Sequence, residues 1–246
     1  MRIVRGIYTA ASGMLMESTR MDVTGNNLAN VDTVGFQKQV AHVYSYPDAP
    51  ISRVYQGQRQ VIGRLGTGAW VEGSHTSFAP GSLKTTENPL DLAIVGEGFF
   101  AIDSPEGPRF TRDGRFTINL DGYLTTLNGN LVQGEAGPIY VGEAEEVLFN
   151  EEGEIFIDGE VADRLLLMSF DNLQGLARSG ANMYEALPEA GDAFVIETRV
   201  APGVIEMANV NVVREMVDLI KIQRAYEANQ KVVQAYDETL GKLNDV

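Results

Sequence analysis

Four acidic side chains, Glu151, Glu152, Glu154 and Asp158, fall close together and are the first candidates for chemistry, because two carboxylates held at the right separation can serve as general acid and base. They surround Gly153 in a stretch that reads as a turn, where solvated acids are ordinary, and a chain with 34 acidic residues brings some together by chance. The solvated turn is the better reading. The two histidines, His42 and His75, have no second histidine at a spacing such as i+4, so neither a zinc site nor a catalytic triad is indicated. Gly96-Glu97-Gly98 could open a phosphate loop, but it leads into Phe99-Phe100 and a strand-like run rather than a helix. The Gly-Lys pair, Gly241-Lys242, stands near the carboxy terminus. Neither Asp113 nor Asp121 begins the alternating ligand pattern of an EF-hand. With no cysteine, disulfides, thiolate metal sites and cysteine nucleophiles are excluded. These residues predict no enzyme, no cofactor and no metal centre.

Charge narrows the partners. The net charge of −15 is concentrated in residues 42–203, which hold 10 basic and 24 acidic side chains, while residues 1–41 and 204–246 are nearly balanced. Nucleic-acid binding needs cationic groups that displace counterions, so none is expected, and an anionic membrane would repel the chain. No segment approaches the length of a membrane span, and the amino terminus carries no unbroken apolar run of signal-peptide length. Membrane insertion is therefore not expected, and any export would use a route without a cleaved signal peptide.

The elements fall into four stretches. From about Arg5 to Asn30, Ile7, Met14, Met21 and Leu28 recur every seven positions, with small residues Ala11, Ser18 and Gly25 four further on, which predicts a helix with a narrow apolar stripe. Gly6, Gly13 and Gly25 each cost about 1 kcal/mol relative to alanine in a helix, so this segment should fold only against a partner. From about Asn209 to Asn244, Leu219, Ile222, Tyr226, Asn229, Val233, Tyr236, Leu240 and Leu243 alternate spacings of three and four as an a/d seam, broken once by the polar Asn229. Between Asn88 and about Thr198, short apolar runs (LDLAIV, FFAID, RFTIN, YLTTL, IYVG, EVLFN, EIFID and RLLLMSF) are separated by Asp-Gly and Asn-Gly pairs, a pattern of strands and hairpins. Residues 42–87, rich in Pro and Gly, read as extended with some strand.

The predicted class is α+β: amino- and carboxy-terminal helices forming a coiled-coil-like layer, with an all-β central domain of hairpins. The divisions are 1–36 for the first helix and its following signature, 37–80 for an extended connector, 81–205 for the β domain and 206–246 for the heptad helix. Periodicity shows that the helices need partners. It leaves open whether they pair antiparallel within one chain or with other subunits.

Three blocks resemble the rod, hook and hook-associated proteins of the bacterial flagellum: residues 24–36, TGNNLANVDTVGF; residues 81–100, 110–116 and 121–124, GSLKTTENPLDLAIVGEGFF, FTRDGRF and DGYL; and residues 209–220 and 223–229, NVNVVREMVDLI and QRAYEAN. The resemblance implies a structural subunit that polymerises helically into a hollow axial shaft transmitting torque, with the terminal helices in its inner layer and the β domain outside. It implies assembly through the two helical stripes and through Asn26, Asn27 and Asn30 of the signature. The implied partners are copies of the chain, other rod subunits, hook and basal-body ring proteins, and the flagellar export apparatus. The implied place is the basal body. Length points to a rod subunit with one β domain, the proximal type slightly favoured over the distal. A reading from another class, a secreted β-domain enzyme or carbohydrate-binding module with a helical stalk, competes with it. Residues 140–205 match these blocks weakly.

Overall fold

The computed structural model describes residues 2–55, 57–144, 146–180 and 182–244, with the side chains of 2–4, 243 and 244 left aside. The chain forms two compact units: residues 1–29, 39–75 and 211–246 make the first, and residues 30–38 and 76–210 the second.

In the first unit, α1 (Arg2–Ala29) and α2 (Val212–Asn244) pack against each other. Asn211 caps α2, its Oδ1 accepting from the Arg214 N–H at 3.0 Å, and Glu215 adds a negative charge to the first turn, where the helix dipole favours one. The stretch expected as a connector contains four strands: β1 (Gln39–Ser45), β2 (Ala49–Tyr55), β3 (Gln58–Leu65) and β4 (Ala69–Thr76). β1 pairs with β4, and β2 with β3 in an antiparallel hairpin from Ala49↔Leu65 to Tyr55↔Gln58, with one register shift after Ile51. Every residue of β3 is exposed, so the hairpin is a ribbon without a core of its own.

The second unit is β throughout apart from two short 3₁₀ turns. Its strands are β5 (Leu83–Thr85), β6 (Leu92–Val95), β7 (Phe99–Ser104), β8 (Gly107–Thr111), β9 (Phe116–Ile118), β10 (Leu124–Thr126), β11 (Leu131–Gly134) and β12 (Gly137–Pro138). There follow β13 (Val147–Phe149), β14 (Glu154–Ile157), β15 (Glu160–Arg164), β16 (Leu167–Ser169), β17 (Leu176–Arg178), β18 (Met183–Ala186), β19 (Phe194–Val195), β20 (Arg199–Pro202) and β21 (Val204–Glu206). The main sheet runs β17-β18-β8-β7-β11-β10-β9, with β16 on β7, β19 on β16 and β12 on β11. β13-β14-β15 form a separate meander. One core gathers Leu92, Phe100, Ile102, Leu124, Val132 and Ile155; a second gathers Phe99, Phe110, Phe170 and Tyr184. The turn pair Asp158-Gly159 joins β14 to β15 with φ of 49° and 86°, the doubly positive geometry of a tight hairpin.

The architecture is α+β with terminal helices and a large central β region. One expected strand is absent. IYVG, 139–142, pairs only through a single bridge from Tyr140 to Tyr123, although Ile139 and Val141 are buried. Gly137 and Gly142, at φ of 126° and 69°, bend the backbone on either side, and the Ile139 and Val141 amides donate to Val132 and Gly122 on different elements.

Candidate functional site

The acid cluster holds no catalytic pair. Asn150 organises the turn, its Oδ1 accepting from the Glu152 and Glu154 amides at 3.0 and 2.9 Å and its Nδ2 donating to the Glu154 carboxylate at 2.7 Å. Asp158 accepts from the Glu146 amide. Glu151 and Glu152 are exposed, and Glu152 lies 4.0 Å from the Arg164 guanidinium.

The seam of α2 faces α1 at Tyr236 and Asn229. α1 and α2 run antiparallel: Gly6 lies against Tyr236, Gly13 against Asn229 and Asn27 against Glu215, so each step of seven along α1 is matched by seven back along α2. Gly6 and Gly13 are close-approach positions; a methyl group on Gly13 would stand 2.8 Å from the Asn229 amide nitrogen, and one on Gly6 would strike the Tyr236 ring. Gly25 has open space around it, and nothing in the structure explains it.

Ile7, Met14, Met21 and Leu28 are half-buried, as are Leu219, Tyr226, Asn229, Val233, Tyr236 and Leu240, while Ile222 is only 2% exposed. Leu243 lies outside the described side chains. The buried companions on α1 are Ala10, Glu17 and Thr24, three residues after Ile7, Met14 and Met21, rather than Ala11, Ser18 and Gly25. Reading α1 with the alternating spacing of α2 would have found them. Glu17 keeps its charge paired, with Arg20 donating at 2.9 and 3.2 Å.

Of the signature asparagines, Asn27 is fully buried. Its amide donates to the Gln39 carbonyl at 2.8 Å and to Glu215 at 3.3 Å, and its Oδ1 accepts from the Gln39 N–H at 2.8 Å. It thereby pins β1 and α2 to α1. Asn26 is exposed, and Asn30 receives the Thr33 amide and hydroxyl in the turn that follows the helix.

Each helix also exposes apolar side chains outside the seam residues. Val213, Met216, Val217 and Ile220 form a run of exposed apolar side chains on the first turns of α2, Val213 being 72% exposed. On α1, Tyr8 and Leu15, seven residues apart, are 69% and 72% exposed. Apolar side chains grouped in this way mark an interaction surface.

The two histidines meet at the β1–β4 pairing, with ring centroids 4.0 Å apart in an edge-to-face arrangement, and Tyr44 stacks on His42. Desolvation holds the His75 imidazole below its ordinary value of 6.5, and the neighbouring His42 lowers it further. A base whose folded pKa is depressed binds more protons when unfolded. The contribution of His75 to stability is thus complete above about pH 6.5 and is lost as the pH falls through its lowered pKa. We expect NMR titration to place the His75 midpoint below 6.5 and His42→Gln to raise it part of the way back. An unchanged midpoint in that variant would show that the rings do not interact electrostatically.

In the second unit, three sequence blocks converge on one buried ion pair. Arg112 and Glu206 are 2% and 1% exposed and lie 3.3 Å apart. Glu206 also accepts from Gln37 Nε2 at 3.2 Å and the Gly81 amide at 2.9 Å, while Arg112 Nη2 donates to the Gly96 carbonyl at 3.0 Å and the guanidinium stands over the Phe99 ring. Asn209 closes the network: its Nδ2 donates to Gln37 Oε1 and to the Ser77 and Ala79 carbonyls, and its Oδ1 accepts from the Lys38 amide at 2.6 Å. The Gly35 amide donates to the Glu206 carbonyl, Asn182 donates to the Val34 carbonyl, and Arg178 covers the Phe36 ring. The residues after the first helix are therefore clamped to the β unit by polar groups from three remote parts of the chain.

These blocks coincide with family matches. Residues 7–37 match flagella basal body rod protein, 93–157 the flagellar hook protein FlgE/F/G D1 domain, and 201–246 the flagellar basal body rod FlgEFG protein C-terminal. A flagellar basal-body rod protein FlgG from Buchnera aphidicola subsp. Baizongia pistaciae is 31% identical over 98% of this chain and 99% of its own length. The chain belongs to the flagellar basal-body rod proteins. A rod protein FlgF from Caulobacter vibrioides is also 31% identical, over 97% and 98% of the two chains, and the flagellar hook-basal body complex protein FlhO of Bacillus subtilis is 27% identical over 98% and 97%.

This rod protein is accordingly a structural subunit and not an enzyme, a flagellar component that assembles with other components of the rod. The reading as a secreted enzyme or carbohydrate-binding module is set aside. No helix among the described residues is long and apolar enough to cross a membrane.

Proposed function

We propose that the rod protein polymerises helically into a hollow axial shaft through the faces of α1 and α2 that their own pairing leaves uncovered. The observation that carries this reading is the exposed apolar run Val213, Met216, Val217 and Ile220, together with Tyr8 and Leu15. The seam residues from Ile7 to Leu28 and from Leu219 to Leu240, other than Ile222, are only partly buried, which leaves some of their surface for further helices beside the internal pair. Subunits joined through two different faces make heterologous contacts, which lengthen a filament instead of closing a ring.

Neighbouring rod subunits, hook and ring proteins are the remaining partners, and the flagellar export apparatus the route by which the chain leaves. Relatives named FlgF and FlgG match to the same extent, so the proximal and distal positions both fit.

The test is assembly of Val217→Asp and Ile220→Asp. Because both side chains are about half exposed, we expect helix content to be retained while sedimentable polymers disappear. Polymers at wild-type yield would overturn the proposal.

A further inference from the structure

The chain has no cysteine, so its methionine thioethers are the softest nucleophiles it offers to an oxidant. Met14, Met16, Met21, Met168, Met183 and Met207 are half-buried, and Met183 is shielded further because its Sδ accepts from Asn130 Nδ2 at 3.2 Å. Met216 differs. It is 52% exposed, and among the described residues no other methionine is exposed.

Its place on α2 gives that exposure a consequence. Val213, Met216, Val217 and Ile220 stand at i, i+3, i+4 and i+7, so they share one face of the helix with the methionine near its middle. The three companions are aliphatic, and their side chains carry no hydrogen-bond donor. A sulfoxide is polar and accepts hydrogen bonds. A second helix covering this face would bury that oxygen among groups that cannot satisfy it.

We propose that Met216 is a site of reversible oxidation by hydroperoxides, and that its sulfoxide keeps the free chain from polymerising. A lone pair on the Met216 sulfur attacks one oxygen of hydrogen peroxide; the S–O bond forms as the O–O bond breaks, and the departing hydroxide takes the proton of the transferred hydroxyl and leaves as water. Sulfur gives up two electrons and the peroxide accepts them. Two thiols reverse the step through a methionine sulfoxide reductase, becoming a disulfide while the oxygen leaves as water. The inference rests on the polymerisation proposed above, with the exposed run of α2 as its surface. In a polymer that face is covered, so assembled copies are protected and only copies awaiting addition respond.

The test treats the free, full chain with hydrogen peroxide and follows each methionine by peptide mass spectrometry. Met216 should gain one oxygen before the half-buried methionines do, and the critical concentration for polymerisation should rise about tenfold as it does so, returning after incubation with methionine sulfoxide reductases and a thiol. Met216→Leu removes this sulfur alone: whatever its own critical concentration, the same dose of peroxide should leave that value unchanged. Preformed polymers should be oxidised at Met216 much more slowly than free chains. Helical circular dichroism should survive the treatment; its loss would assign the effect to unfolded helices and overturn the proposal. Oxidation of another methionine ahead of Met216, unchanged assembly once Met216 is oxidised, equal oxidation in polymers, or an equal response in Met216→Leu overturns this site and leaves the polymerisation itself standing. An untreated chain that never polymerises overturns both.

Discussion

Replacing Glu206 with alanine should destabilise the β unit by about 3–5 kcal/mol, because it leaves Arg112 as a buried charge without its counterion. The loss extends beyond the pair. The Gly81 amide and Gln37 side chain would lose their acceptor, and a buried donor left unpaired costs about 1–3 kcal/mol. Arg112→Leu combined with Glu206→Leu should recover part of the loss, since removing both charges avoids the uncompensated one, but those two donors would still be stranded. Amide exchange across β6 to β8 is the suitable readout, because the one tryptophan, Trp70, lies in β4 and reports on the other unit. Exchange in Glu206→Ala as slow as in the wild type would show that water reaches Arg112 and that the clamp is dispensable.

The clamp illustrates what sequence reasoning reaches and what it does not. Its residues, Gln37, Arg112, Glu206 and Asn209, have no periodic spacing, and polar side chains chosen for one mutual geometry leave no pattern that a helix or strand template can detect. Arg112 and Asn209 lie inside blocks recognisable by resemblance, yet nothing in the blocks themselves says that they meet. The β hairpins were legible for the opposite reason. Strands with one face in a core must be apolar there, and turn pairs such as Asp158-Gly159 must accept positive φ.

IYVG misled because a short apolar run looks the same whether its backbone joins a ladder or merely crosses the core. The ribbon was read as a connector because it buries no face: with all of β3 in solvent, nothing requires alternation. On α1, the seven-residue recurrence was plain, but the companions at Ala10, Glu17 and Thr24 include a charge and a hydroxyl, so an apolar search stepped four residues on to small side chains instead. The exposed run on α2 adjoins a true seam, and apolarity alone does not say which side faces α1.

Ile222→Asp separates those two sides of α2. Ile222 is 2% exposed between the helices, so an aspartate there must either bury an unpaired charge or force the helices apart, at a cost of about 3–5 kcal/mol. We expect much of the helical circular dichroism from α1 and α2 to disappear, while amide protection in β7 and β8 stays at the wild-type level because those strands have their own core. Retained helix content would mean that the pair does not depend on this contact. The comparison with Val217→Asp gives the experiment its force, since both changes put one negative charge on the same helix five residues apart. If polymerisation depended only on helix stability, Val217→Asp would keep its polymers along with its helices. If the exposed run is the surface that meets other subunits, Val217→Asp loses polymers with its helices intact, and Ile222→Asp loses polymers because the helices that display that surface are no longer formed.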